Sequence, residues 1–385
     1  MRRCYFFCSL ILLLCASVCA QEVLDRLPNA KVQQSLELDI PPGNAAIDSH
    51  GQIVFSVHPF FNRSEKWLTL TSDDPTPRPF PDQSHLDKKD QIDFHRPMGV
   101  RCDAQGRFWL LDTGVLPGSQ EMESDSFPSN KETTPRLLCW NPSSKTWEFV
   151  IFIPEPYTTP KSLLNDLAID LKNQHVFIAD TATPETAAII VIDLRSNTIR
   201  RVLQGDPSVV PEKNVKLTPG GTPLTLQQND KTIEPVVGIN PIAIDSQSQH
   251  LYFGAMSAKT LYRIPIATLI NPALSSKELS SFVERYSDKP PSEGIDIDSE
   301  NNIYITDINH NAIGVIRPSR TYEILFTKDW LLWPNSIVVD AQHRLLVVVN
   351  KLHLSPFFHQ GENKATPPFR LLTLSLPAEL HPRND

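Results

Sequence analysis

The chain has 385 residues, of which 40% are hydrophobic and 21% charged, and its net charge is −8. That length is enough to bury a sizeable core without disulfides or metals. The acidic balance and the lack of a basic stripe argue against a nucleic-acid partner and suit a neutral or cationic small molecule. The same charge also suits an ordinary soluble surface, so both interpretations remain open.

Residues 1–20 have the pattern of a secretory signal peptide. Arg2 and Arg3 form a basic start, an apolar run is centred on residues 10–15, and small residues precede Gln21. The apolar run is too short for a stable membrane-spanning helix. We therefore predict a secreted protein, extracellular or periplasmic, with no membrane association after cleavage. Loss of the two arginines changes the net charge from −8 to −8 − 2 = −10.

Downstream, a phrase of two short strands joined by a polar turn recurs six times. One copy reads PSEGIDIDSENNIYITD, in which an apolar alternation ends on Asp298 and a β-branched run ends on Asp307. We call the Asp that closes the first strand the anchor. The anchors are Asp48, Asp103, Asp170, Asp245, Asp298 and Asp340. Their intervals of 55, 67, 75, 53 and 42 residues leave room for a second hairpin in each unit, which makes a four-stranded antiparallel sheet.

Six such sheets in a ring predict an all-β, six-bladed β-propeller, formed by residues 21–385 as a single domain. The largest insertion, residues 204–237, falls between the third and fourth copies. The segment 32–40 alternates like a strand but has no partner nearby in sequence, and only one clear strand follows the sixth copy. We therefore predict that the N-terminal strand completes the last blade.

Two positions of the repeat are expected to meet at one mouth of the central channel. The residue five places before each anchor lies at the start of an innermost strand, and the residue nine or ten places after it returns to the same face. The first position holds Gly43, Met98, Asn165, Asn240, Glu293 and Asn335. The second includes the carboxylates Asp112, Asp180 and Asp307.

Such a cluster has three interpretations. Asp and Asn at strand ends often do no more than bond to local backbone. Converging oxygens also suit Ca²⁺, which takes 6–8 oxygen ligands. The third interpretation is a pocket in which acids hold an amine and amides orient polar groups. His310, close after Asp307, is the candidate acid–base group.

The cysteines do not predict a disulfide scaffold. Four of the six lie in residues 1–20, which leaves Cys102 and Cys139. These two fall on the first and third strands of one blade, roughly 9.6 Å apart at a strand spacing of about 4.8 Å. A disulfide spans at most about 7 Å between Cα atoms, so we predict two buried free thiols. The sequence also contains no HExxH, GxSxG, Walker or GxGxxG motif.

Several phrases resemble a known family. RVLQGDPSVVPE from Arg201 and GINPIAIDSQSQHLYFGAMSAKTLYRIPIATL from Gly238 are similar to the signature of the major royal jelly/Yellow proteins. RPMGVRCDAQGRFWLLDTG from Arg96 and WPNSIVVDAQHRLLVV from Trp333 are similar to other phrases of that family. The resemblance covers about residues 35–377, with Gly205-Asp206 standing where His is common before Pro-Ser. It implies a secreted six-bladed propeller, similar to the bacterial proteins called L-dopachrome tautomerase-related.

The resemblance implies three functions. In the first, a small polar or aromatic amine binds at the mouth, with dopachrome tautomerase-like activity if catalytic. There Glu293, Asp180 and Asp307 supply charge, Asp112 lies at the same mouth, amides orient the ligand, and Glu293 or His310 moves a proton. The amides are Asn165, Asn240 and Asn335.

The second is a lactonase of the gluconolactonase type, in which Asn165, Asn240 and Glu293 resemble three Ca²⁺ ligands. The first-blade Glu of such enzymes falls on Gly43 here. The third is a secreted structural protein without chemistry. The ligand and the oligomeric state cannot be read from the sequence.

Overall fold

The computed structural model describes residues 30–114, 134–181, 183, 185–228 and 231–381. The predicted signal peptide lies outside the described residues. A first strand, β1, covers Lys31–Leu38. Blade 1 comprises β2 (Pro42–Ile47), β3 (Ile53–Val57), β4 (Trp67–Leu70) and β5 (Arg78–Pro79). Blade 2 comprises β6 (Pro97–Cys102), β7 (Phe108–Asp112), β8 (Arg136–Asn141) and β9 (Thr146–Phe152).

The third blade is followed by the long insertion. Blade 3 comprises β10 (Leu164–Asp170), β11 (His175–Asp180), β12 (Ala188–Asp193) and β13 (Thr198–Val202). The insertion carries a separate hairpin of β14 (Leu226–Gln228) and β15 (Lys231–Ile233). Blade 4 comprises β16 (Ile239–Ile244), β17 (His250–Ala255), β18 (Thr260–Pro265) and β19 (Glu284–Asp288).

Blades 5 and 6 end the chain. Blade 5 comprises β20 (Ile295–Ile297), β21 (Ile303–Asp307), β22 (Ala312–Ile316) and β23 (Tyr322–Thr327). Blade 6 comprises β24 (Pro334–Val339), β25 (Arg344–Val349) and β26 (Phe369–Ser375), with β1 as its outer strand. Six four-stranded antiparallel sheets thus confirm the predicted propeller. The pairing of β1 with β26, from Lys31 opposite Ser375 to Leu38 opposite Phe369, confirms the predicted closure of the last blade.

Helix is sparse in the described part of the chain. Two short α-helices, α1 (Ile266–Leu269) and α2 (Ser276–Ser280), lie between β18 and β19. The 3₁₀ turns are Pro59–Phe61, Pro219–Gly221, Leu352–Leu354, Pro356–Phe358 and Ala378–Leu380. Among the described residues, no helix has the length and apolar character needed to cross a membrane.

The anchors form the turns between first and second strands. The Oδ1 atom of Asp48 accepts hydrogen bonds from the backbone N–H of His50 at 2.9 Å and of Gln52 at 2.8 Å. Asp298 Oδ1 accepts in the same way from Glu300 and Asn302, at 2.9 and 2.8 Å. An Asp side chain that bonds backbone two residues on stabilises a tight turn. The anchors are therefore turn residues at one end of the channel.

The core is divided among the blade interfaces. The innermost strand of each blade contacts that of the next around the ring, including β24 against β2. Strands with two buried faces consist of nearly continuous apolar residues, as in β25 with its RLLVVV sequence. The described buried residues fall into six hydrophobic clusters. This arrangement leaves the polar residues of the innermost strands gathered around the axis.

Candidate functional site

A β-bulge recurs at the start of five innermost strands. In β10, Leu164 pairs with Asp180 and Leu167 pairs with Ile178. An advance of three residues along β10 therefore lies opposite an advance of two along β11. The strands β2, β6, β16 and β24 have the same register shift. A bulge bends the strand and re-aims its side chains. It falls on the residues five and four places before each anchor, so it shapes the predicted mouth.

Glu293 and Asn240 lie together at this level of the channel. Glu293 is 4% exposed, and its Oε2 accepts a hydrogen bond from the indole N–H of buried Trp333. Burial raises the pKa of Glu293 to about 8, the charge of Asp166 adds to that rise, and Trp333 and Asn240 oppose it. A carboxyl held this way needs either a proton or a cationic neighbour at neutral pH.

Asn240 is the unusual member of the group. It is 1% exposed, yet neither its Oδ1 nor its Nδ2 makes a hydrogen bond of good geometry with a described residue. A buried amide normally has partners, because an unpaired polar atom costs roughly 1–3 kcal/mol. Asn240 stands beside Glu293 and therefore keeps hydrogen-bonding capacity for a molecule other than this chain.

The remaining amides differ from each other. Asn335 is 1% exposed, and its Oδ1 accepts from Nδ2 of Asn350 at 2.7 Å. The Asn350 amide also donates to the carbonyl of Pro42 at 3.0 Å and ties blade 6 to blade 1. Asn165, 5% exposed, lies in the bulge of β10. We call Glu293, Asn240, Asn165 and Asn335 the axial cluster.

The predicted carboxylates of the second strands are engaged in ion pairs and hydrogen bonds. Asp112 accepts from the backbone N–H of His95 and Arg96, at 3.0 and 2.7 Å, and pairs with Arg136 at 2.9 Å. Asp180 pairs with Arg201 at 2.6 Å. Because these charges are compensated inside the blades, the structure does not add Asp112 or Asp180 to the axial cluster.

Asp307 and His310 form a pair of their own. Asp307 Oδ2 lies 2.7 Å from His310 Nδ1 and accepts from the hydroxyl of Tyr322 at 2.7 Å. Asp307 is fully buried, whereas the His310 side chain is 48% exposed. Thr306, the residue directly before Asp307, donates its hydroxyl to the carbonyl of Gly294 at 3.4 Å. The pair thus fixes the end of β21 beside the segment that carries Glu293.

The insertion between blades 3 and 4 covers this mouth. Its Leu217 and Leu224 belong to the same hydrophobic cluster as Trp333 and Ile308. Asn309 holds the insertion by both amide atoms: Oδ1 accepts from Thr218 N at 2.8 Å, and Nδ2 donates to the carbonyl of Lys216 at 3.0 Å. We call residues 212–226 the lid. The lid therefore packs against Trp333, the residue that donates a hydrogen bond to Glu293.

Arg101 closes the channel below the cluster. From β6 its Nε donates to the carbonyl of Leu167 at 3.0 Å, and its Nη2 pairs with Asp166 at 2.8 Å. The same Nη2 lies 3.4 Å from the carbonyl of Ile295, in the blade opposite. Sequence reasoning missed this group. The signal lay two places before the anchors, where Arg101 and Asp296 are the only charged residues; that position holds Ala46, Arg101, Ala168, Ala243, Asp296 and Val338.

The side chains do not fit a calcium site. A Cβ atom at Gly43 would lie 2.6 Å from Ser56 Oγ and 3.4 Å from His58 Cδ2, so no carboxylate side chain has room in blade 1. Asp166 is already paired with Arg101. Within the described ranges, no group of three or more His, Cys, Asp or Glu is placed to hold a metal. Asn165, Asn240 and Glu293 alone fall short of the 6–8 oxygens that Ca²⁺ requires.

A six-bladed propeller with a lidded polar cluster at its axis defines the class of protein. The family model described as "Major royal jelly protein" matches residues 97–381. The chain therefore belongs to the major royal jelly protein family, as its phrases predicted. A comparison with curated proteins found no match.

Solved structures share the fold at low sequence identity. A gluconolactonase from Xanthomonas campestris is 12% identical, with 91% of each chain covered and a TM-score of 0.52. Regucalcin, a calcium-binding protein from Agrobacterium tumefaciens, is 12% identical over 92% of this chain and 96% of its own, with a TM-score of 0.52. Virginiamycin B lyase from Staphylococcus aureus is 12% identical over 91% and 100%, with a TM-score of 0.50. At this identity the likeness concerns the fold alone.

Proposed function

We propose that the protein binds a small polar or aromatic molecule bearing an amine in the axial cluster, beneath the lid. The observation that carries the proposal is the Asn240 amide, which is 1% exposed and whose Oδ1 and Nδ2 make no hydrogen bond of good geometry with a described residue. Glu293 stands beside it as the carboxylate of the cluster that has no cationic partner among the described ion pairs. An amine at Glu293 forms a charge-assisted hydrogen bond and offsets the cost of burying the carboxylate.

The surroundings favour a compact ligand with an apolar part. Trp333 stacks on His353 at 6.0 Å between ring centroids and contacts Phe358 at 6.2 Å. The lid adds the aliphatic side chains Leu217 and Leu224. Pockets of this composition bind ligands through apolar walls and few polar groups, which set the orientation.

Calorimetry with dopamine and serotonin tests binding. We expect one equivalent of ligand to bind the wild-type protein, and Glu293→Gln to weaken binding at least tenfold because it removes the charged acceptor. Glu362→Gln, a change at a carboxylate 72% exposed, is the matched control and should bind as the wild type does. Equal affinity in the wild type and Glu293→Gln would contradict the proposal. Stoichiometric Ca²⁺ in the purified protein would instead favour the lactonase, and no binding at all would favour a structural protein.

Tautomerase-like activity is the catalytic extension of the same proposal. A tautomerisation removes a proton from one ligand atom and returns it to another, so it needs no oxidant or reductant. Glu293 is the buried group that can take and return the proton, and half-exposed His310 is the second candidate. Loss of absorbance by dopachrome in the presence of the wild type, and its absence with Glu293→Gln, is the expected result.

A further inference from the structure

A cavity lies at the end of the channel opposite the axial cluster, on the anchor side. Its volume is about 300 Å³, and it extends from Arg101 to the turns that contain Asp103, Leu171 and Ser248. Volumes of this size hold small organic molecules. Arg101 separates it from the axial cluster, because its guanidinium bonds blades 3 and 5 across the axis.

The repeat explains why the cavity exists. Among the residues two places before the anchors, Ala168 and Ala243 leave open space beside the long Arg101 side chain. The walls are otherwise aliphatic and come from the innermost strands of blades 3 and 4. We call these residues the aliphatic wall: Leu167, Ala168, Ile169, Ile242, Ala243 and Ile244.

The charged groups at the inner end do not balance. Arg101 pairs with Asp166 at 2.8 Å, so these two charges compensate each other. Asp296 lines the cavity, and its Oδ2 accepts from the backbone N–H of Val339 at 2.8 Å. None of the ion pairs among the described residues includes Asp296; burial raises the pKa of Asp296, and the charge of Arg101 opposes that rise. One guanidinium thus stands beside two carboxyl groups, and it pairs with Asp166 rather than with Asp296.

Groups nearer the rim are already paired. Asp103 forms an ion pair with Arg107 at 2.8 Å. Lys172 is exposed at the rim, where its Nζ atom donates to the neutral carbonyl of Gln247 at 2.9 Å and its charge stays in contact with solvent. The neighbouring anchor Asp298 accepts from Tyr304 at 2.8 Å and from Asn302 at 2.9 Å. The carboxyl group at the inner end that forms none of the ion pairs among the described residues is therefore Asp296.

We propose that this cavity is a second ligand site, for a small organic monocation whose primary ammonium binds Asp296 and whose apolar body lies on the aliphatic wall. A carboxylate at the bottom of an apolar cavity favours a cation over a neutral molecule of the same shape, because both lose water on binding and only the cation regains an ion pair. The site is independent of the axial cluster and does not rest on the function proposed for it.

Benzylammonium is the probe, and calorimetry in the Glu293→Gln background removes any contribution of the axial cluster. We expect one equivalent to bind there, and neutral benzyl alcohol to bind at least tenfold more weakly. Adding Asp296→Asn should weaken benzylammonium binding at least tenfold while keeping an oxygen for Val339 N. Adding Ala243→Leu, which fills the cavity, should abolish binding.

Glu300→Gln, an exposed change in the turn after Asp298, is the matched control and should leave the affinity unchanged. Absence of benzylammonium binding in the Glu293→Gln background overturns the proposal, as does equal affinity for benzyl alcohol. Unaltered binding in both Asp296→Asn and Ala243→Leu overturns it as well. Equal binding of dopamine by the wild type and Glu293→Gln would contradict the proposal for the axial cluster and not the one made here. The two proposals can therefore fail separately.

Discussion

At the scale of single residues, buried charge determines which side chains are available to a ligand. Asp180 is fully buried, and burial raises its pKa while Arg201 lowers it. A buried ion pair is stable only when the attraction between its two charges offsets the cost of removing both from water. Glu293 differs because its described partner, Trp333, is a neutral donor. A buried carboxyl group is thus structural at Asp180 and a candidate ligand group at Glu293.

His58 shows the same effect on a base. It is 3% exposed, its Nδ1 accepts from the backbone N–H of Phe60 at 3.2 Å, and burial lowers its pKa to about 3. The unfolded chain binds a proton near pH 6.5, whereas the folded protein does so only near pH 3. Stability contributed by neutral His58 is therefore present above pH 6.5 and is lost as the pH falls from 6.5 toward 3.

We expect His58→Asn to reduce this acid sensitivity. Asn retains an oxygen acceptor for Phe60 N but does not titrate. Between pH 7.5 and 5 the wild type should lose about 2 kcal/mol more unfolding free energy than the variant, at ~1.4 kcal/mol per unit of pKa. Urea unfolding at both pH values measures the difference. The exposed His50→Asn serves as control, and parallel curves for wild type and His58→Asn would contradict the expectation.

At the scale of elements, two segments outside the repeat shape the molecule. The lid packs against Trp333 beside the axial cluster, and β1 supplies the outer strand of blade 6. β1 runs antiparallel to β26 over its whole length, with one bulge between Val32 and Gln34. Without β1, the N–H and C=O groups along one side of β26 would be exposed, and open strand edges promote association.

Deletion of residues 30–38 tests the role of this closing strand. We expect a clear fall in the thermal unfolding midpoint and faster proteolysis within β26, because the ring loses the strand that joins its two ends. Gln33→Ala, an exposed change within β1, is the control because it leaves the strand pairing intact. A shortened protein with the midpoint of the full chain would show that closure by β1 is dispensable.

At the scale of the whole molecule, the channel has two separate compartments. Arg101 divides it, with the axial cluster and lid on one side and the cavity with Asp296 on the other.

The closed ring also fixes the positions of the two thiols. Cys102 in β6 and Cys139 in β8 are free, with β7 between them, which confirms the predicted lack of a disulfide; Cys102 is only partly buried, however, because it lines the cavity.

We expect both thiols to react only when the ring unfolds. Burial raises the pKa of Cys102 to about 12 and raises that of Cys139 as well, so neither forms much reactive thiolate at pH 8. For a chain that begins at Gln21, titration with a disulfide reagent should modify about two thiols in denaturant. In native buffer the same titration should modify fewer than one. If no thiol reacts after the protein is denatured, Cys102 and Cys139 form a disulfide, and that result would contradict the structure.

The sequence by itself determined the propeller, because its signals are local. An anchor bonds backbone two and four residues away, and strand alternation has a period of two, so both can be read without knowing the fold. The same register predicted that one position of the repeat, five places before each anchor, faces the mouth of the channel. That position holds Glu293, Asn240, Asn165 and Asn335. The position two places before each anchor, which holds Arg101 and Asp296, could be read in the same way, but the sequence analysis did not predict a role for these two residues.

Only the tertiary structure decided which groups meet at the axis and which are compensated. Glu293 contacts Trp333 40 residues away, and Arg101 reaches Asp166 and Ile295 across 65 and 194 residues. Asp180 and its partner Arg201 lie on different strands, 21 residues apart. The energy of a buried charge depends on all such neighbours at once, and closing the ring brings them together without leaving a periodic trace in the sequence.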